Sequence, residues 1–180
     1  MEDNYEEAYE GLRFVQVSEG DIGKAFNGDL DLEENFYPNE YLYLEEPEES
    51  VLLRYDSQDE SFNRLVNVQS PIFGLSPKNA EQACALDALM NPDIPLVSLV
   101  GKAGTGKTLL ALAAALQLTL DEGLYNEILV SRPVFPMGKD IGYLPGEIGE
   151  KLAPYIQPIH DNLNVLLNSS KKGGSKSQAL

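Results

Sequence analysis

The stretch Gly101-Lys102-Ala103-Gly104-Thr105-Gly106-Lys107-Thr108 constrains this chain more than any other. It spells G-x-x-x-x-G-K-T. Before it, Ile94-Pro95-Leu96-Val97-Ser98-Leu99-Val100 has the branched, apolar content of a buried strand. After it, Leu109–Leu120 is rich in Ala and Leu, lacks Gly and Pro, and predicts a helix. Strand, glycine-rich loop and helix in that order predict a Walker A phosphate-binding loop. Gly101, Gly104 and Gly106 allow backbone dihedrals that a side chain would forbid, so that successive N–H groups can converge on an anion. The helix starting near Gly106 adds its positive end. Lys107 is expected to reach the β- and γ-phosphates, and the Thr108 hydroxyl to ligate a Mg²⁺ bridging them. Lys102, Ala103 and Thr105 complete the cradle. The plainer reading, a glycine-rich turn before a core helix, leaves the agreement of spacing, strand and helix unexplained.

Charge divides the chain. Residues 1–80 hold 19 Asp/Glu against 5 Lys/Arg, a balance of −14, whereas residues 81–180 hold 10 against 8, a balance of −2. The acidic part would repel nucleic acid, so any such contact is expected from the second part. No apolar run approaches a transmembrane span, and the acidic N-terminus has no signal-peptide pattern. The single cysteine, Cys84, excludes an internal disulfide and fits a reducing cytoplasm. Set among Ala83, Ala85 and Leu86, it reads as a buried helix residue rather than a reactive thiol.

In order, residues 1–11 read as an acidic tail. Leu12–Val17 predicts a strand, and Glu19–Phe26 a short helix with Ser18 as its N-cap. Glu40–Leu44, Val51–Tyr55 and Phe62–Val68 predict an antiparallel meander, which makes residues 12–72 a small β-rich module. Tyr37, Tyr41 and Tyr43 read as packing residues on that sheet, since their neighbours are acidic rather than basic. Ser76-Pro77 can start a helix that runs to Met90 and stops at Asn91-Pro92. Within it, Gln82 is either a surface or capping-box glutamine, with Asn79, or an amide that pairs with the N6 and N7 edge of adenine. Glu127–Ser131 predicts a second core strand. Arg132–Gly146 is a long, proline-bearing loop beside the phosphate site. Glu147–Leu167 is helical, interrupted at Pro154 and Pro158. His160, the only histidine, reads as an exposed helix residue and not a metal ligand. Residues 169–180 read as a polar, disordered tail.

Several blocks go beyond a generic phosphate loop. They are Asn79-Ala80-Glu81-Gln82, Asp93 through Thr108, Ser131-Arg132-Pro133-Val134, Met137 through Gly146, Glu150-Lys151-Leu152-Ala153-Pro154 and Asp161-Asn162-Leu163. Together they resemble the ATPase domain of the PhoH family from about Gly74 to Leu167. The Gly138-Lys139-Asp140-Ile141-Gly142 form resembles the subgroup in which a PIN nuclease domain precedes the ATPase. A short β-rich connector separates the two there, and residues 12–72 are similar to it. The resemblance implies a RecA-like ATPase related to superfamily 1 helicases, with ATP and Mg²⁺ as cofactors. It implies an adenine contact for Gln82 and a phosphate or RNA contact for Arg132. RNA would be met through the 131–151 loop, ring-like homo-oligomers are implied, and a PIN domain is expected upstream in a full-length relative.

The fold class expected is therefore α/β: a partial RecA-like P-loop domain over residues 73–168, preceded by the small antiparallel β-rich module. The pattern departs from the family in one respect. No apolar run after Thr108 ends in the Asp-Glu of a Walker B strand, since Asp121-Glu122 close a helix, and no arginine finger follows. The expectation is a chain that binds nucleotide without the hydrolytic half of the site. Two alternatives stand beside it. A small P-loop kinase would need an arginine-bearing lid, and Arg132 is the only arginine after Arg64. A non-catalytic interaction module would use the acidic sheet.

Overall fold

The computed structural model describes residues 11–27, 36–65, 68–131 and 148–174. The elements are β1 (Leu12–Gln16), α1 (Asp21–Asn27), β2 (Tyr41–Glu45), β3 (Ser50–Asp56), β4 (Ser61–Arg64), α2 (Ala80–Met90), α3 (Lys107–Leu116) and α4 (Ile148–Gly174). They form two compact units. One spans Met1–Ser70 with Pro77–Val97, and the other Pro71–Ser76 with Ser98–Leu180.

The first unit is built on a four-stranded sheet of order β1-β2-β3-β4. The predicted meander is present as β2-β3-β4, both pairs antiparallel. β1 joins its edge in parallel, with Leu12 opposite Tyr41 and Gln16 opposite Glu45, so the sheet is mixed. α1 makes the parallel return possible by carrying the chain back across one face. There Ile22 and Ala25 pack on Leu42, Leu44 and Leu53. Its start differs in detail from the Ser18 cap expected. The Asp21 carboxylate accepts from the Ser18 N–H at 3.0 Å, and Glu46 Oε1 accepts from the Ile22 N–H at 2.7 Å. The hydrogen bond from Lys24 Nζ also holds the Asp21 carboxyl below its ordinary range.

Alternation places Tyr41, Leu12 and Leu52 on the opposite face, against Ala83, Cys84 and Ala88 of α2. Polar groups fix this seam: the Tyr41 hydroxyl donates to the buried Asp87 carboxylate at 3.0 Å, and Arg54 Nε stands 3.7 Å from it. A second buried acid, Glu40, accepts from the Arg13 guanidinium and from the Tyr37 N–H at 2.8 Å, tying β1 to β2. Of the three tyrosines, Tyr41 is buried, Tyr43 half-buried and Tyr37 exposed.

In the second unit, α3 buries Leu110, Leu112, Ala113, Ala114 and Leu116 and packs against α4, where Leu166 is fully buried. After Leu116 the helix widens into a π-type turn over Gln117–Asp121, closed by the Glu122 N–H on the Gln117 carbonyl at 2.9 Å. The Gln117 side chain accepts from the N–H of Phe73, which sits with φ 46° beside Gly74 at φ 77° in the tight turn Ile72–Leu75. α4 runs unbroken through Pro154 and Pro158, where interruptions were expected. Each proline removes one ladder hydrogen bond, a cost the helix absorbs. The Asn162 amide donates to the Pro158 carbonyl at 2.6 Å. α4 also takes in Ser169–Gly174 of the predicted polar tail; the remainder lies outside the described residues, as does the acidic tail up to Glu10.

The two predicted core strands are a correction. Residues 94–100 and 127–131 make no ladder, and their apolar side chains stand out: Leu96 is 82% exposed, Val100 95% and Leu129 86%. Branched residues give a segment strand propensity, but pairing is what makes a strand, and a buried parallel strand needs neighbours on both edges. Neither segment finds one among the described residues.

Candidate functional site

The loop ahead of α3 has the backbone of an anion cradle. Gly104 has φ 80° and Gly106 φ 91°, both in the left-handed region that a Cβ would strain. Gly106 is the N-cap of α3, and its carbonyl accepts the first helical bond, from Leu110 N–H at 2.9 Å. The N–H groups of the first turn, from Lys107 onward, have no acceptor within the helix and face the loop mouth with the positive end of the helix dipole. No acidic side chain occupies that first turn.

The Lys107 ammonium closes over the loop. Nζ donates to the carbonyls of Gly101 at 2.9 Å and Lys102 at 2.7 Å, and lies 3.3 Å from Thr105 Oγ1. Thr105 Oγ1 in turn donates to the Lys102 carbonyl at 3.0 Å. A cation held by exposed neutral carbonyls is poorly neutralised, and an anion entering the loop offers it a stronger, charge-assisted partner. Thr108, the next residue, is exposed, and its hydroxyl is open to a hard cation that prefers oxygen ligands. Gly101, Lys102, Ala103, Gly104, Thr105, Gly106, Lys107 and Thr108 make up this loop and the start of α3.

Gln82 is part of the other compact unit, on the first turn of α2. α2 starts at Ala80 rather than at Pro77, because Asn79 is the cap: its Oδ1 accepts the Gln82 N–H at 2.9 Å. The Gln82 side chain answers by accepting the Lys78 N–H at 2.9 Å, a variant of the capping box. Arg132 and the rest of residues 132–147 lie outside the described residues. His160 is exposed on α4, and no group of three or more potential metal ligands occurs among the described residues. Cys84 is buried, and burial, reinforced by Asp87, pushes its thiol up to about 12, as a core cysteine requires. Among the described residues no helix is long and apolar enough to cross a membrane.

Sequence reasoning missed the polar seam of Arg54, Tyr41 and Asp87. A lone aspartate on the apolar face of a predicted helix was the available signal, but its partners lie 33 and 46 residues away.

Comparison with known proteins shows the family. The family model described as PhoH-like protein matches residues 74–177. The chain is 44% identical over 177 residues to Protein PhoH2 of Bacillus subtilis (strain 168), covering 93% of this chain and 40% of that protein. It is 37% identical over 165 residues to Protein PhoH2 of Thermobispora bispora, covering 89% and 37%. Protein PhoH of Escherichia coli (strain K12) is 40% identical over 75 residues, 42% of this chain and 21% of that protein. The chain therefore spans about two fifths of the length of the PhoH2 relatives. No solved structure matches.

Proposed function

The chain belongs to the PhoH family, and from that membership together with the loop geometry we propose that it binds ATP with Mg²⁺ at Gly101–Thr108. The observation that supports this most is the Lys107 ammonium gathered over a left-handed glycine turn at a helix N-terminus. Phosphate oxygens would replace the Gly101 and Lys102 carbonyls as partners of Lys107, while the first-turn N–H groups of α3 take the negative charge. Thr108 would ligate the cation that neutralises the phosphates when it is bound. Gln82 reads the adenine, within the limits its capping role leaves.

The further reading is that this chain supplies the phosphate-holding half of the site. After α3, the only paired acids among the described residues, Asp121 and Glu122, close a helical segment instead of ending a strand. The unladdered apolar segments 94–100 and 127–131 support the same view, since a complete P-loop sheet would cover them. Hydrolysis coupled to RNA work is the activity the family resemblance implies for full-length relatives, with the 131–151 loop and Arg132 as RNA or phosphate contacts, oligomers, and an upstream nuclease domain. A cytoplasmic setting is proposed with this reading.

The test is equilibrium binding of a fluorescent ATP analogue with Mg²⁺ to the full chain and to Lys107→Ala. A charge-assisted phosphate contact is worth about 1.5–3 kcal/mol, so the variant should bind roughly 10- to 150-fold more weakly. Equal affinity would remove the assignment.

A further inference from the structure

We propose that the open end of the α2-covered sheet face is a docking surface for a Lys/Arg-rich, apolar-anchored peptide segment of a partner protein. This does not rest on the nucleotide reading. α2 packs over Leu12, Tyr41 and Leu52 of that face and leaves the β1 edge beyond Leu12 uncovered. The next residues along the same face, Phe14 and Tyr43, are register partners whose rings meet tilted at 47°, with centroids 5.4 Å apart. Phe14 is 61% exposed, and Tyr43 is half-buried. One step further the face carries Gln16 opposite Glu45, both exposed. Because β1 and β2 run parallel, their C-terminal ends lie together. Exposed Glu19 and the exposed Glu48 and Glu49 of the β2–β3 turn therefore gather at the end where the aromatic pair is open.

Charge selects the occupant. The cations of β1–β4 and α1 are Arg13, Lys24, Arg54 and Arg64, and each has an internal partner. Arg13 is paired with Glu40, Lys24 with Asp21 and Arg54 with Asp87, while Arg64 lies 4.1 Å over the Phe26 ring. Glu19, Glu45, Glu48 and Glu49 have no ion pair among the described residues. The field at this end of the sheet is thus uncompensated and negative, which disfavours nucleic acid and favours cationic peptide. The aromatic pair adds what a solvated acidic surface lacks: an apolar anchor point and ring faces on which a guanidinium can stack.

The experiment is fluorescence anisotropy with the full chain and three short labelled probes: a peptide alternating arginine and leucine, its glutamate-for-arginine counterpart, and an RNA oligomer. The arginine–leucine peptide should bind, with affinity falling as salt is raised. Phe14→Thr, a solvent-facing change to another strand-forming residue, should weaken it about tenfold, and Glu45→Gln with Glu48→Gln should weaken it and flatten the salt dependence. Circular dichroism checks that each variant keeps the sheet. Binding of the arginine–leucine peptide that is unchanged by Phe14→Thr would overturn the proposal. So would equal binding of the acidic peptide, or RNA binding that Phe14→Thr abolishes.

Discussion

At Gln82 two demands meet on one amide. Its Oε1 accepts the Lys78 N–H and its own N–H is capped by Asn79, so the residue helps to start α2. The proposal also gives it the adenine edge. Gln82→Ala separates the two roles. Loss of the cap interaction should cost about 0.5–1 kcal/mol in urea denaturation, at the low end for cap losses because Asn79 remains. Loss of base reading should narrow the ATP-to-GTP affinity ratio, since a site built to pair a base edge discriminates through it. A stability loss with an unchanged ratio would confine Gln82 to capping. The phosphate loop was legible in sequence because its requirements are local: glycines at fixed spacing, a lysine and a hydroxyl at a helix start. The start of α2 was less so. Ser76-Pro77 and Asn79 both satisfy the rules for a helix start, and the choice falls to whichever oxygen reaches an N–H in the folded chain. The pairing of half-buried Arg13 with buried Glu40 was not legible, the two being 27 residues apart with no local signal.

Among the elements, α2 and the sheet share a seam with a distinct response to alkali. Burial, then the neighbouring Asp87, raises the Cys84 thiol from an ordinary 9.0 to about 12. Burial and Asp87 also hold the Tyr41 phenol well above its ordinary 10.0. Both groups therefore keep their protons in the folded chain at a pH where the unfolded chain releases them. A raised folded value contributes stability that is whole below the unfolded value and is lost as pH climbs toward the folded one. The urea midpoint should accordingly hold up to about pH 9 and fall between pH 9 and 12. In Cys84→Ala the fall should start later, near pH 10, where tyrosine begins to titrate. A midpoint that is flat across this range would mean that neither group is buried as described. Of the elements themselves, β2, β3 and β4 were readable from alternation and turn residues. The parallel placement of β1 was not, because it depends on α1 returning the chain across a face. α4 outlasted its prolines because packing against α3 adds stability that helix propensity alone does not count.

Among the described residues the segments flanking the phosphate loop join no ladder, and from this follows the expectation that the chain does not turn over ATP unaided. Phosphoryl transfer needs the metal held on more than one side and a water placed in line with the leaving group. Thr108 offers one ligand. No strand among the described residues delivers the carboxylates that would hold the cation from its other side and orient the water. The segments on either side of the loop and its helix show the same lack physically. Leu96, Val100 and Leu129 lie exposed where a sheet would bury them, and each represents roughly 1.5–3 kcal/mol of burial not realised. The sequence pattern of these segments reported a propensity faithfully; what it could not report was the neighbour that pairing requires. The measurement is Mg²⁺-dependent phosphate release by the full chain, with and without single-stranded RNA, beside Lys107→Ala. Release should match the variant. Turnover above it at about 0.1 per second or faster, far beyond uncatalysed hydrolysis, would show that a catalytic carboxylate acts from within these 180 residues. In that case substituting Asp140 of the long loop and Glu147 just after it in turn would test whether either supplies it.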